Sequence, residues 1–253
     1  MSKIFPEMYD RPSNGAVAAG GIYWVVCYFM IPFVTQVLAW AFSTDLSLVG
    51  GVDIVAYAIN FLCMLALFRP YMADSFWNIS LNKRGFIAAV FVAAVLILLI
   101  ESGTLLASML SEWDGGLHAY PISETSVVAT TGFVVISNPL LGTLCMTLLT
   151  PVTVSCMFYA TVFGPIANKH RVLAYVVMAV LLLLPRLLSD WWLDTGNYDW
   201  TIYLLQLPVH LIACWSYQKT NTIWAPIISL SVTNLLMSLL TWGLSLADIL
   251  VIQ

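Results

Sequence analysis

Residues 85–110 read GFIAAVFVAAVLILLIESGTLLASML, a run with a single charged side chain, Glu101. A helix needs about 20 mostly apolar residues to cross the hydrocarbon core of a bilayer. This run exceeds that length and has no polar stripe for water, so it predicts a membrane span. Six further stretches read the same way: about 17–42, 54–68 (extended back toward 48), 139–166, 172–188, 200–217 and 222–245. A shorter apolar stretch, 126–136, ends at the turn signal Ser137-Asn138-Pro139 and has the length of an interfacial or re-entrant eighth helix. The expected fold class is all-α: a polytopic membrane helix bundle of seven transmembrane helices, or eight if 126–136 is counted.

Composition points the same way. Of 253 residues, 61% are hydrophobic and 9% charged, against roughly 25% charged in a soluble domain. Nine scattered basic residues and a net charge of −4 argue against nucleic-acid binding, which needs clustered Lys and Arg. Cys27, Cys63, Cys145, Cys156 and Cys214 all lie in apolar runs without a CxxC pair, and read as small packing side chains. The uncharged stretch between Arg11 and Asp45 is far longer than the roughly 7–15 residues of a signal-peptide core. It reads as a retained first span.

With seven spans, one set of ends comprises 1–16, 69–84, 167–171 and 218–221. These ends carry Lys3, Arg11, Arg69, Lys83, Arg84, Lys169, Arg171 and Lys219, and the opposite ends carry only Arg186. Because basic ends stay in the cytoplasm, the N-terminus is expected inside and the C-terminus outside. Acidic residues run the other way, with Asp45, Asp53, Glu112, Asp114, Glu124, Asp190, Asp194, Asp199 and Asp248 all outside. The chain divides into a three-span region with an outer loop, 1–137, and a four-span region, 138–245, within one membrane domain. Small residues such as Gly20, Gly21 and the Ala-rich 88–94 are expected to let helices approach closely.

Ionisable groups inside spans are costly and raise functional hypotheses. Glu101 fits either a functional carboxylate or one snorkelling near Ser102-Gly103. His210 follows Gln206 at i, i+4, so the two share a helix face and either line a cavity or make structural hydrogen bonds. Asn234, beside Ser231 and Thr233, is explained by interhelical hydrogen bonding. No span carries His, Asp or Glu at metal-ligand spacing, so no metal or cofactor is expected. Asp190 and Asp194 have the spacing but flank Trp191 and Trp192, an interfacial aromatic belt in an outer loop. Walker, HExxH and GxSxG motifs do not occur.

An ordered set of landmarks runs from Asn138 to Leu240. Asn138-Pro139-Leu140-Leu141 is followed by Thr150-Pro151-Val152, Phe158 and Phe163-Gly164-Pro165. Then come Asn168-Lys169-His170-Arg171, Ala174-Tyr175, Gln206-Leu207-Pro208, and the segment from Trp215-Ser216-Tyr217 through Lys219-Thr220 to Ile223-Trp224-Ala225-Pro226-Ile227-Ile228. This order resembles the CPBP family, the CAAX-processing and bacteriocin-processing intramembrane endopeptidases of the Abi type. The resemblance covers about 100 residues and implies a CAAX-processing-protease-like core over 138–245 in a bacterial plasma membrane. It also implies a water activated by Glu and His, carried on the motifs Glu-Glu-x-x-x-Arg, Phe-x-x-x-His and His-x-x-x-Asn. Here the Glu pair falls at Val154 and Ser155, the Arg at Tyr159, and the Phe and His at Leu182 and Arg186. The last His falls at Leu230, and only Asn234 matches. Val and Leu can neither move a proton nor bind a metal.

The leading expectation is a catalytically silent CPBP-like protein that binds or regulates a membrane protein or peptide partner, surrounded by membrane lipid. Its cavity would be lined by Ser155, Tyr159, Arg186, Leu230 and Asn234. One alternative is an active endopeptidase with chemistry rebuilt from Glu101 and His210, which would then have to meet. The other is a proton-coupled small-molecule carrier using the same two residues.

Overall fold

A computed structural model of the chain describes residues 12–26, 46–113, 139–193 and 200–246. Among these residues there are seven helices and no strand. They are α1 (Asn14–Val25), α2 (Leu46–Leu81), α3 (Lys83–Trp113), α4 (139–167), α5 (Arg171–Leu193), α6 (Trp200–Thr220) and α7 (Trp224–Leu246). The segment 126–136 and the loop 114–125 lie outside the described residues, as does the second half of the expected first span.

Three stretches are long and apolar enough to cross a membrane: Lys83–Leu106, Leu140–Ala167 and Trp224–Gly243. The shortest has 20 residues, about 30 Å at the helical rise and so the thickness of a hydrocarbon core. The two faces of α3 show the membrane pattern directly. Ile87, Phe91 and Leu99 are each at least 64% exposed, whereas Ala89, Ala93 and Ile97 are buried. An outward face this apolar is unsuited to water. The buried face is small, and α6 and α7 pack on it closely enough for the Thr233 hydroxyl to reach the Ala94 carbonyl at 3.4 Å. The Ala-rich 88–94 stretch therefore does the expected packing work.

Gly20 makes the other close approach. A β-carbon there would lie 2.6 Å from Thr161 Oγ1 and 3.0 Å from the Phe68 ring, so α1 meets α4 only through a glycine. Gly21 sits in ordinary contact distance, 3.9 Å from Thr161, and makes no such demand.

Two helices run past their expected ends. The expected end 69–84 is helical as far as Leu81, through Arg69, Pro70 and Asp74. The reason is visible in burial: Phe68, Tyr71, Met72 and Ser75 are buried at spacings of three and four residues, with Arg69, Pro70, Ala73 and Asp74 exposed on the other side. That period is helical, and tertiary burial overrides the charge and the proline. Likewise α5 stays helical to Leu193, taking in Asp190, Trp191 and Trp192, which the sequence reading put in a loop.

The helix α4 is the centre of the bundle, with Thr150–Thr161 buried throughout. Around it pack Met64 and Phe68 of α2, Met178 of α5, Cys214 of α6 and Ile227 of α7. It alternates between α-helical pieces (Pro139–Leu144, Thr150–Val154, Gly164–Ala167) and wider π-helical pieces (Cys145–Leu149, Ser155–Phe163). Cys145, Cys156 and Cys214 are buried as free thiols, as is Cys63 in part.

One end of the bundle is tied by buried polar groups. The Ser75 hydroxyl donates to Thr222 Oγ1 at 2.9 Å and accepts from the Ile223 N–H at 3.0 Å. The Thr222 hydroxyl donates to the Ser75 carbonyl at 2.9 Å, and the Trp224 indole N–H donates to the Met72 carbonyl at 2.9 Å. The hydroxyls of Tyr71 and Tyr217 are hydrogen-bonded to each other, and Tyr175 donates to Gln218 Oε1 at 3.1 Å. Asn221, at φ 55°, closes α6 in the left-handed conformation that asparagine tolerates best after glycine. This knot joins the C-terminal ends of α2 and α6 to the starts of α5 and α7. It thereby gathers Lys83, Arg84, Lys169, Arg171 and Lys219 at one end of the bundle.

Candidate functional site

The second π piece of α4 carries two of the residues singled out in the sequence. Tyr159 is fully buried, and its hydroxyl lies 2.9 Å from His210 Nδ1 on α6. The rings of Phe158 and Tyr159 flank the imidazole at centroid separations of 6.3 Å and 6.4 Å. One wide turn earlier, Ser155 is also fully buried. Among the described residues its hydroxyl has no hydrogen-bond partner, and neither does that of Thr150, five residues before it. Val154 and Leu230 are buried apolar neighbours in the same core.

Asn234 has a specific task. In the first π piece, the Thr150 N–H bonds the carbonyl of Cys145, five residues back. The next donor in that register would be residue 151, which is proline and has no N–H. The carbonyl left over is that of Met146, and Asn234 Nδ2 donates to it at 2.9 Å. A side chain of α7 thus replaces a backbone donor missing from α4. Nearby hydroxyls close other carbonyls of this helix, Thr153 on Leu149 at 2.8 Å and Thr161 on Cys156 at 2.8 Å. The interhelical role expected for Asn234 is observed, and it draws the residue away from Ser155 and Tyr159.

Glu101 continues the buried stripe of Ala89, Ala93 and Ile97 on α3 and is half-buried. No hydrogen bond or ion pair joins it to His210, whose Nδ1 is committed to Tyr159. The side chains of Arg186 and Gln206 lie outside the described residues. Among the described residues no three of His, Cys, Asp and Glu come together. The site is therefore the Tyr159–His210 pair, with the buried hydroxyls of Ser155 and Thr150 at earlier turns of the same α4, among aromatic and aliphatic side chains.

Two features escaped the sequence reading. The Tyr159–His210 pairing joins residues 51 positions apart, and the π register decides which side of α4 each residue takes. The Pro151–Met146–Asn234 link was signalled by a proline inside a span facing a later buried Asn, a pairing that the spacing of neither residue reveals. No protein-family model matches the chain, and neither a curated protein nor a solved structure does.

Proposed function

We propose that this chain is a seven-span, catalytically silent CPBP-like integral membrane protein that binds or regulates a membrane protein or peptide. The observation that carries this reading is the state of α4 where the family it resembles places its Glu pair and Arg. Those positions hold Val154, Ser155 and Tyr159, all buried, with Tyr159 closed onto His210. No carboxylate stands there to take a proton from water, and one imidazole nitrogen of His210 is taken up by the Tyr159 phenol. What remains is recognition chemistry: hydroxyls of Ser155 and Thr150 buried without a partner, which a bound polar group would satisfy. In this reading the end that carries the basic turns faces the cytoplasm, with the N-terminus on the same side, in a bacterial plasma membrane; the excess of Lys and Arg at that end supports it.

The test is an affinity purification from native membranes in mild detergent, comparing wild type with Ser155→Phe and His210→Gln. Mass spectrometry would read both intact co-purifying chains and truncated peptides. The proposal expects an intact partner in stoichiometric amount, lost in Ser155→Phe, and the same peptide spectrum for wild type and His210→Gln. Shortened peptides that disappear in His210→Gln would overturn it in favour of rebuilt proteolysis.

A further inference from the structure

Thr147, Thr153 and Thr161 of α4 each donate to a carbonyl four or five residues back, at 2.7, 2.8 and 2.8 Å. This is the usual bond of a threonine inside a helix. Thr150 is buried in the same helix and, among the described residues, makes no such bond. Its acceptor four residues back is the Met146 carbonyl, which Pro151 leaves without a backbone donor and Asn234 Nδ2 holds at 2.9 Å. A carbonyl oxygen has two lone pairs, yet with α7 in place the hydroxyl stays unbonded. The donor nearest along the chain is idle while a side chain from another helix holds the acceptor. The remainder of α7 is held unevenly. At its start the Ile223 N–H, the Thr222 hydroxyl and the Trp224 indole are tied to Ser75 and Met72. Farther along, among the described residues, Asn234 is joined only by two long polar contacts, Thr233 to the Ala94 carbonyl at 3.4 Å and Ser102 to Met237 Sδ at 3.8 Å. Thr233 has a shorter bond within α7, to the Ser229 carbonyl at 2.8 Å. Beyond it Leu235, Leu236, Leu239, Leu240 and Trp242 are exposed.

We infer that α7 is a flap hinged at the α6–α7 turn, and that the Met146 carbonyl changes donors as the flap moves: Asn234 when α7 is docked, Thr150 when it swings away. A carbonyl left bare in lipid would hold α7 shut. Rotation of Thr150 about χ1 brings its hydroxyl onto that carbonyl, since threonine in a helix has two allowed rotamers for this reason. The exchange removes most of the penalty of opening. Thr233 needs no replacement, because its shorter bond travels with α7. The knot around Ser75 keeps the base of the flap in place. The inference goes beyond the partner-binding reading and does not depend on it.

The test uses the full chain in lipid nanodiscs, with spin labels on Leu148→Cys of α4 and Leu239→Cys of α7, both exposed positions. Cys27 and Cys63 are replaced by Ser, and the buried thiols are left in place. Double electron–electron resonance reads the distance between the labels. The docked distance should dominate in the otherwise unchanged chain. Asn234→Leu should raise a second, longer distance by about fivefold, the factor that one membrane hydrogen bond supplies. Leu keeps the shape of Asn and so keeps the approach to Met146 filled while α7 is docked. Adding Thr150→Val should then cut the longer population by about fivefold, whereas adding Thr150→Ser, which keeps the hydroxyl, should leave it within about twofold. A single unshifted distance in every variant would overturn the inference, because α7 would not move. So would a longer population that ignores Thr150→Val, or one that Val and Ser reduce equally, since the hydroxyl would then not take the carbonyl.

Discussion

Where α6 turns into α7, the hydroxyls of Ser75 and Thr222 each hold more than one partner, whereas the hydroxyls of Thr150 and Ser155, midway along α4, hold none. Both pairs are buried and both belong to the same continuous core. In the first, the bonds between Ser75 and the Thr222-Ile223 turn cross between helices, so the polar groups fix how α2 meets the α6–α7 hairpin. In the second, the helix is wound partly as π, a form common at functional positions. A buried neutral hydroxyl without a partner costs about 1–3 kcal/mol. The contrast separates polar groups that build the bundle from polar groups kept for something else.

The largest expected effect lies in the knot. Ser75→Val removes a donor and an acceptor at once and strands the Ile223 N–H, which should cost about 3 kcal/mol. Thermal unfolding in mild detergent would read it, and an unchanged midpoint would erase the distinction between the two layers. Next comes Gly164→Ala, because a β-carbon there would lie 2.9 Å from the Tyr217 hydroxyl and 3.3 Å from the Tyr159 carbonyl. Overpacking of this kind costs about 1–3 kcal/mol, and it should disturb the Tyr71–Tyr217 bond, seen as a shift in tyrosine absorbance.

Asn234→Leu should be milder, about 1 kcal/mol, the scale of a single interhelical hydrogen bond in a membrane. Its sharper form is a double-mutant cycle with Pro151→Ala, which restores the missing N–H. If Asn234 stands in for that donor, the two substitutions together should cost less than the sum of each alone. Strict additivity would show that Asn234 acts otherwise. The smallest cost belongs to Ser155→Ala, which gives up no hydrogen bond and removes an unpartnered buried hydroxyl, so it is expected to be neutral or to stabilise by about 1 kcal/mol. A strongly destabilised Ser155→Ala would show that this hydroxyl is structural after all.

Much of the helical layout was legible in the sequence because lipid selects for long uncharged runs. The reading of 85–110 and 222–245 falls within three residues of the ends of α3 and α7. The C-terminal extension of α2 was not legible by that criterion. Arg69, Pro70 and Asp74 interrupt the apolar run, and only the spacing of Phe68, Tyr71, Met72 and Ser75 carries the helix onward. The candidate site was legible residue by residue and not as a constellation. Tyr159 and His210 were both singled out, but a change from α to π winding within α4 rotates every later side chain, and a linear pattern read at 3.6 residues per turn does not follow that rotation.

The donor that Asn234 lends to Met146 also has a bearing on the order in which the protein is made. The two residues are 88 positions apart, so α4 leaves the ribosome and enters the bilayer well before α7 exists. Until α7 arrives, α4 carries a backbone carbonyl that lipid cannot satisfy, and its neighbours can hold it only provisionally. Arrival of α7 completes the helix already in place. A nascent chain halted before residue 234 should therefore remain open to proteolysis or chaperone capture at α4, and release of the halt should bring protection there and in α7 together.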